Sequence, residues 1–354
     1  MNKSYSGSVV KALKSAKDGS KEIIKEIKKT EPKHCDVEKL AKDLTATIVD
    51  KVFLTPDIVE MIVHAPLHVQ NFKAGQFFKL QNFEKTASLK ETPFPFILEP
   101  LALTGATVDL KKGLISLIVL KSGLSSSLAC ELDIGEEIAL LGPTGEPTEI
   151  VKDKNVLLIG GGVGNAVLFS IGKELKANNC CVHYIAGYKT KGSRFKMEEI
   201  EASSDYVYWV CEEEVLEKNR ISDFSFKGNV IDVLEIIKDR LEDIDHIIAI
   251  GSDKMMKAVA KARFLTFRDD FLKDPKLIGS INSPMQCMMK GICGQCVQVH
   301  KCDETEEEKI VFSCQNQDQD LKTLDFNCLH DRLSQNSLQE KITRFLFDHQ
   351  KKKA

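Results

Sequence analysis

The feature that most constrains the fold is an apolar run followed directly by a glycine-rich turn. Residues 155–159 (Asn-Val-Leu-Leu-Ile) have the length and composition of a buried strand, and Gly-Gly-Gly-Val-Gly follows at residues 160–164. A helical stretch then covers residues 165–177. Similar apolar strands recur at residues 181–186, 207–210 and 246–250. This alternation of strand and helix predicts a parallel sheet buried on both faces.

The glycine turn is a candidate nucleotide-binding loop. It presents bare backbone amides and a helix N-terminus, which together favour a pyrophosphate group. Asn165 stands where the G-x-G-x-x-G pattern has its third glycine. A second turn follows the strand 246–250 and should lie at the same sheet edge. The predicted binding residues are Gly160, Gly161, Gly162, Gly164, Asn165, Gly251, Ser252 and Asp253. Tight turns without a ligand remain the alternative for both loops.

The sequence does not decide between NAD and NADP. No acidic residue stands about twenty positions after the glycine turn, where a ribose diol would be bound. Three cations, Lys189, Lys191 and Arg194, follow the second strand and would suit a 2′-phosphate. An ordinary solvated loop explains the same three cations.

Before residue 150 the pattern is different. Short alternating stretches separated by proline and glycine predict a small antiparallel barrel. These predicted strands cover residues 46–53, 59–63, 76–80, 101–103, 114–120 and 137–141. A lysine-rich helical segment, expected to break at Gly19 and stop at Pro32, precedes the barrel. A helical tail at residues 329–347 ends in three lysines at 351–353, which we interpret as a solvated end.

Four cysteines form the second strong signal. Cys287, Cys293, Cys296 and Cys314 have the spacing C-x5-C-x2-C-x17-C, one residue away from the C-x4-C-x2-C…C spacing of [2Fe–2S] proteins. Gly291 and Gly294 would let the backbone approach the inorganic sulfides. The spacing therefore predicts an iron–sulfur cluster that passes one electron at a time.

Other interpretations of the cysteines stay open. A structural zinc site would more often show two C-x2-C pairs, and only Cys293 and Cys296 form one here. Inert buried cysteines are a further possibility. Cys302 and Cys328 lie close enough in sequence to replace Cys287 or Cys314 as a ligand.

Composition limits the class of protein. The chain has 354 residues, a net charge of −3 and 29% charged residues, which gives no general attraction to nucleic acid or anionic membrane. Its 11 cysteines, with no secretory signal after the first residues, are typical of a reducing compartment. The apolar runs are too short to cross a bilayer. We therefore expect a cytoplasmic protein without a membrane span.

The order of barrel, glycine-loop sheet and cysteine loop resembles the ferredoxin reductase superfamily. Within it, the sequence is similar to the electron-transfer subunit of dihydroorotate dehydrogenase and to the small subunit of NADH-dependent ferredoxin:NADP oxidoreductase. It also resembles the C-terminal part of fused, glutamate synthase-like flavin oxidoreductases. The stretches that carry the resemblance are residues 101–105, 159–169, 283–287 and 314–319.

The resemblance implies three cofactors: FAD on the barrel, NAD(P) on the sheet and a [2Fe–2S] cluster at the cysteine loop. The flavin strand of the superfamily, Arg-Pro-x-Ser, begins at Glu99 in this chain, so its arginine and its serine are both absent. The flavin phosphate turn falls at residues 123–126. The implied FAD-binding residues are Pro100, Leu101, Ala102, Leu103, Thr104, Gly123, Ser125 and Ser126.

We expect an α/β plus β-barrel protein that transfers electrons between NAD(P)H, FAD, the cluster and a partner. The partner would be a catalytic flavoprotein or a ferredoxin-like carrier, and no side-chain dyad stands out as catalytic. The alternatives are a noncatalytic subunit that kept the fold but lost flavin, and a zinc-stabilised binding module. The expected parts are an N-terminal appendage (1–44), the FAD barrel (45–150), the NAD(P) domain (151–280), the cysteine domain (281–320) and a helical tail (321–354).

Overall fold

The structure, a computed structural model, describes most of the chain and divides it into two units. The described residues are 9–29, 36–83, 98–283, 285, 287, 289–301, 307–335 and 337–351. The first unit is Met1–Lys42 and the second is Asp43–Ala354. Helix α1 (Val9–Ile27) belongs to the first unit, and α2 (Val37–Leu44) begins in it. None of the described helices combines the length and apolarity that a membrane span requires.

The predicted break of the first helix at Gly19 is wrong. Helix α1 passes through Gly19 without interruption. A glycine inside a helix costs about 1 kcal/mol relative to alanine but does not disturb the hydrogen bonds, so the helix continues. The predicted stop at Pro32 lies outside the described residues.

The second unit begins with a closed six-stranded antiparallel barrel. The strand order around the barrel is β1-β2-β5-β4-β3-β6. Its strands are β1 (Ala46–Phe53), β2 (Ile58–His64), β3 (Phe77–Asn82), β4 (Leu101–Asp109), β5 (Leu114–Leu120) and β6 (Glu137–Thr144). Two helices lie between strands: α3 (Pro66–Val69) and α4 (Leu124–Glu131). The predicted barrel is confirmed, because the alternating side chains of these strands fill its interior.

A seven-stranded sheet follows, with the strand order β10-β9-β8-β7-β11-β12-β15. All neighbouring strands are parallel except β12 and β15, which pair antiparallel. The strands are β7 (Asn155–Gly161), β8 (Cys181–Tyr188), β9 (Tyr206–Cys211), β10 (Phe224–Lys227), β11 (His246–Ile250), β12 (Lys276–Ser280) and β15 (Asp318–Asp320). The helices are α5 (Asn165–Ala177), α6 (Met197–Ala202), α7 (Val230–Ile236), α8 (Lys238–Leu241) and α9 (Asp253–Lys261). Separate apolar cores cover its two faces, as predicted for a buried parallel sheet.

The cysteine loop lies between this sheet and the barrel. A short antiparallel pair, β13 (Val297–Lys301) and β14 (Glu308–Phe312), lies within the cysteine region. The last helices are α10 (Phe326–Ser334) and α11 (Ser337–Lys351). Strand β15 falls inside the predicted cysteine domain 281–320, yet it pairs with β12 of the sheet. The domain boundaries therefore stay predictions.

One polar residue of the cysteine region joins the barrel to the sheet. The side-chain amide of Gln317 donates to the carbonyl oxygens of Gly75, at 3.0 Å, and Glu146. The backbone of Gln317 accepts a hydrogen bond of 2.7 Å from Ile281, the residue that follows β12. Gln317 is 3% exposed, so these bonds are shielded from water and hold the cysteine loop in a fixed position.

A stack of aromatic side chains with one histidine lies on the sheet near β8. The Nδ1 atom of His183 is 3.1 Å from the hydroxyl of Tyr208, which accepts a 2.9 Å hydrogen bond from Arg240. Burial, together with the positive charge of Arg240, lowers the pKa of His183 to about 4. Protonation would place a second cation beside the guanidinium.

We predict that this histidine makes the fold less stable in mild acid. The unfolded chain takes up a proton near pH 6.5, whereas folded His183 stays neutral down to about pH 4. Unfolding therefore binds a proton between these values, and stability falls as the pH drops. Between pH 7.5 and pH 5 the loss due to His183 should be roughly 2 kcal/mol, measured by urea unfolding.

The His183→Gln variant is the control, because glutamine does not titrate in this range. It should lose less stability than the parent over the same interval. Equal losses in the two proteins would contradict the prediction.

Candidate functional site

A single cleft brings the barrel strand β4 and the glycine turn together. Its volume is about 730 Å³. The walls come from the barrel, from the turns that end β7 and β11, and from β8. The predicted residues in its lining are Leu101, Ala102, Leu103, Thr104, Ser126, Gly161, Gly162, Gly164, Gly251 and Ser252. The two sets of residues that were predicted separately from sequence therefore face one space.

The glycine turn has the geometry of a cradle. Gly162 has φ +56°, and no described atom lies within 4 Å of where its Cβ would be, so its outer side is open. Gly164 is different, because a Cβ there would lie 2.2 Å from the carbonyl oxygen of Ile250. The turn therefore packs closely against the end of β11 at Gly164 and is open to the cleft at Gly162. A phosphate group fits this arrangement of open backbone next to the first turn of α5.

Asn165 supports the turn from behind. It is completely buried, and its side-chain amide donates to the carbonyl oxygen of Gly162 at 2.9 Å and approaches that of Gly187 at 3.5 Å. A Cβ on Gly160 would lie 1.9 Å from the Asn165 oxygen. Neither Gly160 nor Asn165 lines the cleft, so both shape the turn without facing a ligand. The asparagine in place of a third glycine thus has a positioning role.

Only two of the three predicted residues of the second turn, residues 251–253, line the cleft. Gly251 and Ser252 line the cleft, and the hydroxyl of Ser252 caps α9 by accepting a 3.2 Å hydrogen bond from the amide of Met255. Asp253 lies elsewhere, since its carboxylate is 2.7 Å from Nδ1 of His330 in α10. The structure therefore separates Asp253 from the other predicted nucleotide-binding residues.

The three predicted cations are also separated. Lys189 lines the cleft. Lys191 lies 3.8 Å and 3.7 Å from the carboxylates of Glu214 and Glu217, and the guanidinium of Arg194 stacks 5.5 Å above Trp209. Only Lys189 of these three faces the space where a nucleotide would bind.

Glu212 is a cleft residue that sequence reasoning missed. It follows β9 directly and lines the cleft together with Lys189. Its position at the carboxyl end of a parallel strand was the available signal, because ligands of such sheets bind at that edge. A carboxylate can accept hydrogen bonds from a ribose diol and repels a 2′-phosphate. Glu212 would therefore favour NAD, whereas Lys189 would favour NADP.

The turn predicted for flavin phosphate opens helix α4. Its Ser126 hydroxyl accepts hydrogen bonds of 3.0 Å from the amides of Ser122 and Gly123. The next amide, of Leu124, donates to the carboxylate of Glu340 in α11 at 2.9 Å. Pro100, Gly123 and Ser125 are absent from the cleft lining. The barrel strand thus offers an apolar wall for a flavin ring, whereas the phosphate turn is covered by a side chain of the same molecule.

The four predicted cysteines lie close together in two pairs. The Cys287 thiol accepts a hydrogen bond from Cys293, and the free thiols of Cys296 and Cys314 are joined by a hydrogen bond. Gly291 donates its amide to Cys314 Sγ at 3.2 Å, and Gly291 and Gly294 have φ values of +66° and +73°. Both glycines thus have the left-handed backbone conformation that glycine adopts most readily. The predicted approach of this backbone to inorganic sulfides stays a prediction.

The two pairs differ in acidity. Burial opposes ionisation of Cys287, but amide hydrogen bonds from Cys293, Lys290 and Ile292 outweigh it and lower the pKa of this thiol to about 6. Burial and the Cys296 thiol raise the pKa of Cys314 to about 12. Backbone amides directed at a sulfur stabilise a thiolate, which is the form that binds metals.

The possible metal ligands near the cysteine loop can be examined only among the described residues. Within the described part of the chain, no three histidine, cysteine, aspartate or glutamate side chains converge as ligands of one metal ion. Of the two alternative cysteines, Cys302 lies outside the described residues, and Cys328 lines an open groove with Cys293 on the outer side of the loop.

The cysteine loop packs against the wall of the cleft. Cys296 and Cys314 form a small buried cluster with Phe77 of β3, and Ala102 of β4 packs against it. Ala102 also lines the cleft. The side-chain ammonium of Lys79 in β3 donates to the carbonyl oxygen of Cys287 at 2.9 Å. One strand therefore separates the cleft from the cysteine pairs.

Comparison with known proteins agrees with this architecture. No protein-family model matches the chain. A solved structure of an NADH-dependent reduced ferredoxin:NADP oxidoreductase superposes with a TM-score of 0.67 and 27% identity, covering 85% of this chain and 97% of that one. A Thermotoga maritima homolog of the electron transfer subunit of dihydroorotate dehydrogenase B (NAD(+)) is 29% identical over 307 residues, 84% of this chain and 95% of that protein. The chain belongs to the ferredoxin reductase superfamily.

A longer relative also matches this member of the ferredoxin reductase superfamily. An uncharacterized protein of Rickettsia prowazekii is 33% identical over 347 residues, which is 97% of the present chain. The chain spans 40% of the length of that relative. The predicted superfamily and its fold are confirmed by the Thermotoga maritima relative and the superposed oxidoreductase structure.

We predict that the close approach at Gly164 is needed to form the cleft of this ferredoxin reductase-like fold. Gly164→Ala places a Cβ against the Ile250 carbonyl and the Gly251 amide, both backbone atoms, so the glycine turn must shift. Unfolding in urea should show a loss of about 1–3 kcal/mol.

Gly192→Ala is the matched control, because no described atom lies within 4 Å of where its Cβ would be. Its stability should stay within about 0.5 kcal/mol of the parent. A Gly164→Ala protein as stable as this control would contradict the packing described for the turn.

Proposed function

We propose that the chain is an electron-transfer oxidoreductase subunit that exchanges electrons between NAD(P)H, FAD in the cleft and a [2Fe–2S] cluster at the cysteine loop. The observation that carries the proposal is the position of β4. Ala102 borders the cleft and also packs against the buried cluster that contains Cys296 and Cys314. An FAD bound in the cleft and a cluster bound at the cysteine loop would therefore lie close to each other.

The cofactors supply the electron chemistry. A flavin accepts two electrons with a hydride and can release them singly, whereas an iron–sulfur cluster carries one electron at a time. The residues of the chain hold the groups and set their distances. Leu101, Ala102 and Leu103 provide an apolar wall that excludes water from a flat ring.

The glycine turn supports nicotinamide nucleotide binding. The open outer side of Gly162 and the N-terminus of the 13-residue helix α5 together suit a pyrophosphate. Lys189 and Glu212 face the same cleft and would meet the polar end of the nucleotide. A nicotinamide ring that extends from this turn toward Thr104 would lie on the barrel side of the cleft, where a flavin ring would bind.

The pairing of the thiols favours a binuclear cluster. Cys287 is hydrogen-bonded to Cys293 and Cys296 to Cys314, and this pairing would suit two irons with two thiolates each. Amide donors from Gly291, Lys290 and Ile292 point at the sulfurs and would stabilise their negative charge. The electron acceptor or donor beyond the cluster would be a catalytic flavoprotein of the dihydroorotate dehydrogenase or glutamate synthase type, or a ferredoxin-like carrier.

The cluster assignment is tested with Cys296→Ser. Replacing one thiolate ligand with a poor ligand should abolish or strongly change the visible absorption and the electron paramagnetic resonance signal of anaerobically purified protein. Cys328→Ser is the companion variant, because Cys328 shares a groove with Cys293 but is not one of the four proposed ligands, and its spectrum should equal that of the parent. Parent protein that contains stoichiometric zinc and no iron would refute the assignment and favour a zinc-stabilised module.

The nucleotide site is tested with Gly162→Gln. The new side chain would project into the cleft and displace the pyrophosphate, so KM for NADH and for NADPH should rise at least about tenfold with ferricyanide as acceptor. Absorption of bound cofactors should not change. Comparing the parent with both nucleotides also reveals whether Lys189 or Glu212 dominates the choice between them.

Gly135→Gln is the control for this substitution, since Gly135 also has a positive φ (+89°), no described atom lies within 4 Å of where its Cβ would be, and it does not line the cleft. It should oxidise both nucleotides as the parent does. If the Gly162→Gln protein kept the parental KM for both nucleotides, their binding site would lie elsewhere.

A further inference from the structure

Helix α11 places a carboxylate on the turn that opens α4. Glu340 Oε2 accepts the amide proton of Leu124 at 2.9 Å. A Cβ built on Gly123 would lie 2.3 Å from the same oxygen, so the carboxylate rests directly on the glycine. An acidic group at this position is stabilised by the free amides of the helix N-terminus.

This turn is the segment at which the superfamily pattern places flavin phosphate. The amides of Ser122, just before the turn, and of Gly123 donate to the hydroxyl of Ser126, and the amide of Leu124 donates to Glu340. A diphosphate and a carboxylate require the same donor and carry the same sign of charge, so they repel each other at this short range. The flavin diphosphate does not fit the turn while Glu340 remains there.

Other residues of α11 also contact the barrel and the segment before the turn. Arg344 donates to the carbonyl oxygen of Lys121 at 2.7 Å and lies 3.9 Å from the carboxylate of Asp57. Phe347 is 9% exposed and completes the apolar core of the barrel. The other face of the helix stays in solvent, with Leu338, Ile342 and Phe345 exposed to 70%, 50% and 69%.

We propose that α11 is a built-in cover of the flavin diphosphate site, so that docked α11 and bound FAD exclude one another. The inference rests on the proposed function, since it concerns the FAD of that proposal. Glu340 takes the place of the phosphate on the Leu124 amide, and Phe347 holds the helix against the barrel. The apolar wall at Leu101–Leu103 lies outside the covered turn, so a flavin without phosphate does not compete with the helix.

The experiment compares two flavins on the full chain. FAD and riboflavin are titrated by fluorescence quenching into the parent, Glu340→Ala and Phe347→Ala. Both substitutions should tighten FAD binding at least about tenfold, the first by removing the competing charge and the second by releasing the helix. Riboflavin, which has no phosphate, should change by less than about twofold.

Gln339→Ala is the matched control, because Gln339 is the exposed neighbour of Glu340 on the same helix. It should bind both flavins as the parent does. If Phe347→Ala does not fold, Glu340→Ala, which replaces a surface side chain, decides the result alone.

Two results would overturn the inference, and they are distinguishable. If riboflavin binds all proteins and FAD binds Glu340→Ala no tighter than the parent, the cover is refuted while the flavin part of the proposed function stands. If neither flavin binds the parent or either variant, the cover and the flavin part are both refuted.

Discussion

The arrangement of the candidate redox sites depends on one buried ammonium group. Lys79 of β3 is only 6% exposed and donates to the backbone oxygen of Cys287 at 2.9 Å. A buried charge is costly unless polar partners surround it, so this contact fixes where the cysteine loop can lie. Because β3 pairs with β4, with Lys79 opposite Ala102, the loop is held beside the strand that borders the cleft. Gln317 fastens the other end of the loop to the barrel and the sheet.

The periodic elements were predictable, and the short or polar ones were not. Strands β7, β8 and β11 are continuous apolar runs, and their pattern determines the parallel sheet. Strand β10 (Phe-Ser-Phe-Lys) and strand β15 (Asp-Gln-Asp) were missed, because four and three residues give too little periodicity. The polar side chains of β15 can be accommodated because neighbouring residues form hydrogen bonds with them. For example, the hydroxyl of Thr148 donates to the carboxylate of Asp318.

In the candidate site, local motifs were predictable from the sequence, whereas contacts made by tertiary packing were not. The glycine turn and the cysteine loop are local motifs, so their residues could be named from the sequence, and the structure brings most of them to one cleft or one loop. Asn165 resembled a ligand contact by its position in the motif, yet tertiary packing buries it behind the turn. Glu340 could not have been found, since it is 216 residues away from Leu124 and stands in an ordinary amphipathic helix.

Strand β15 links the cysteine loop to the edge of the seven-stranded sheet. Only three residues separate Cys314 from β15, which pairs antiparallel with β12 from Ile278 to Ser280. Without β15, β12 would be the outermost strand of the sheet and would present unpaired amides and carbonyls to other molecules. Folding of the cysteine loop therefore also protects a sheet edge. In a chain whose cysteine loop has not folded, β12 would be an exposed edge strand able to pair with other molecules. Folding of the loop and resistance to aggregation are therefore coupled in this fold.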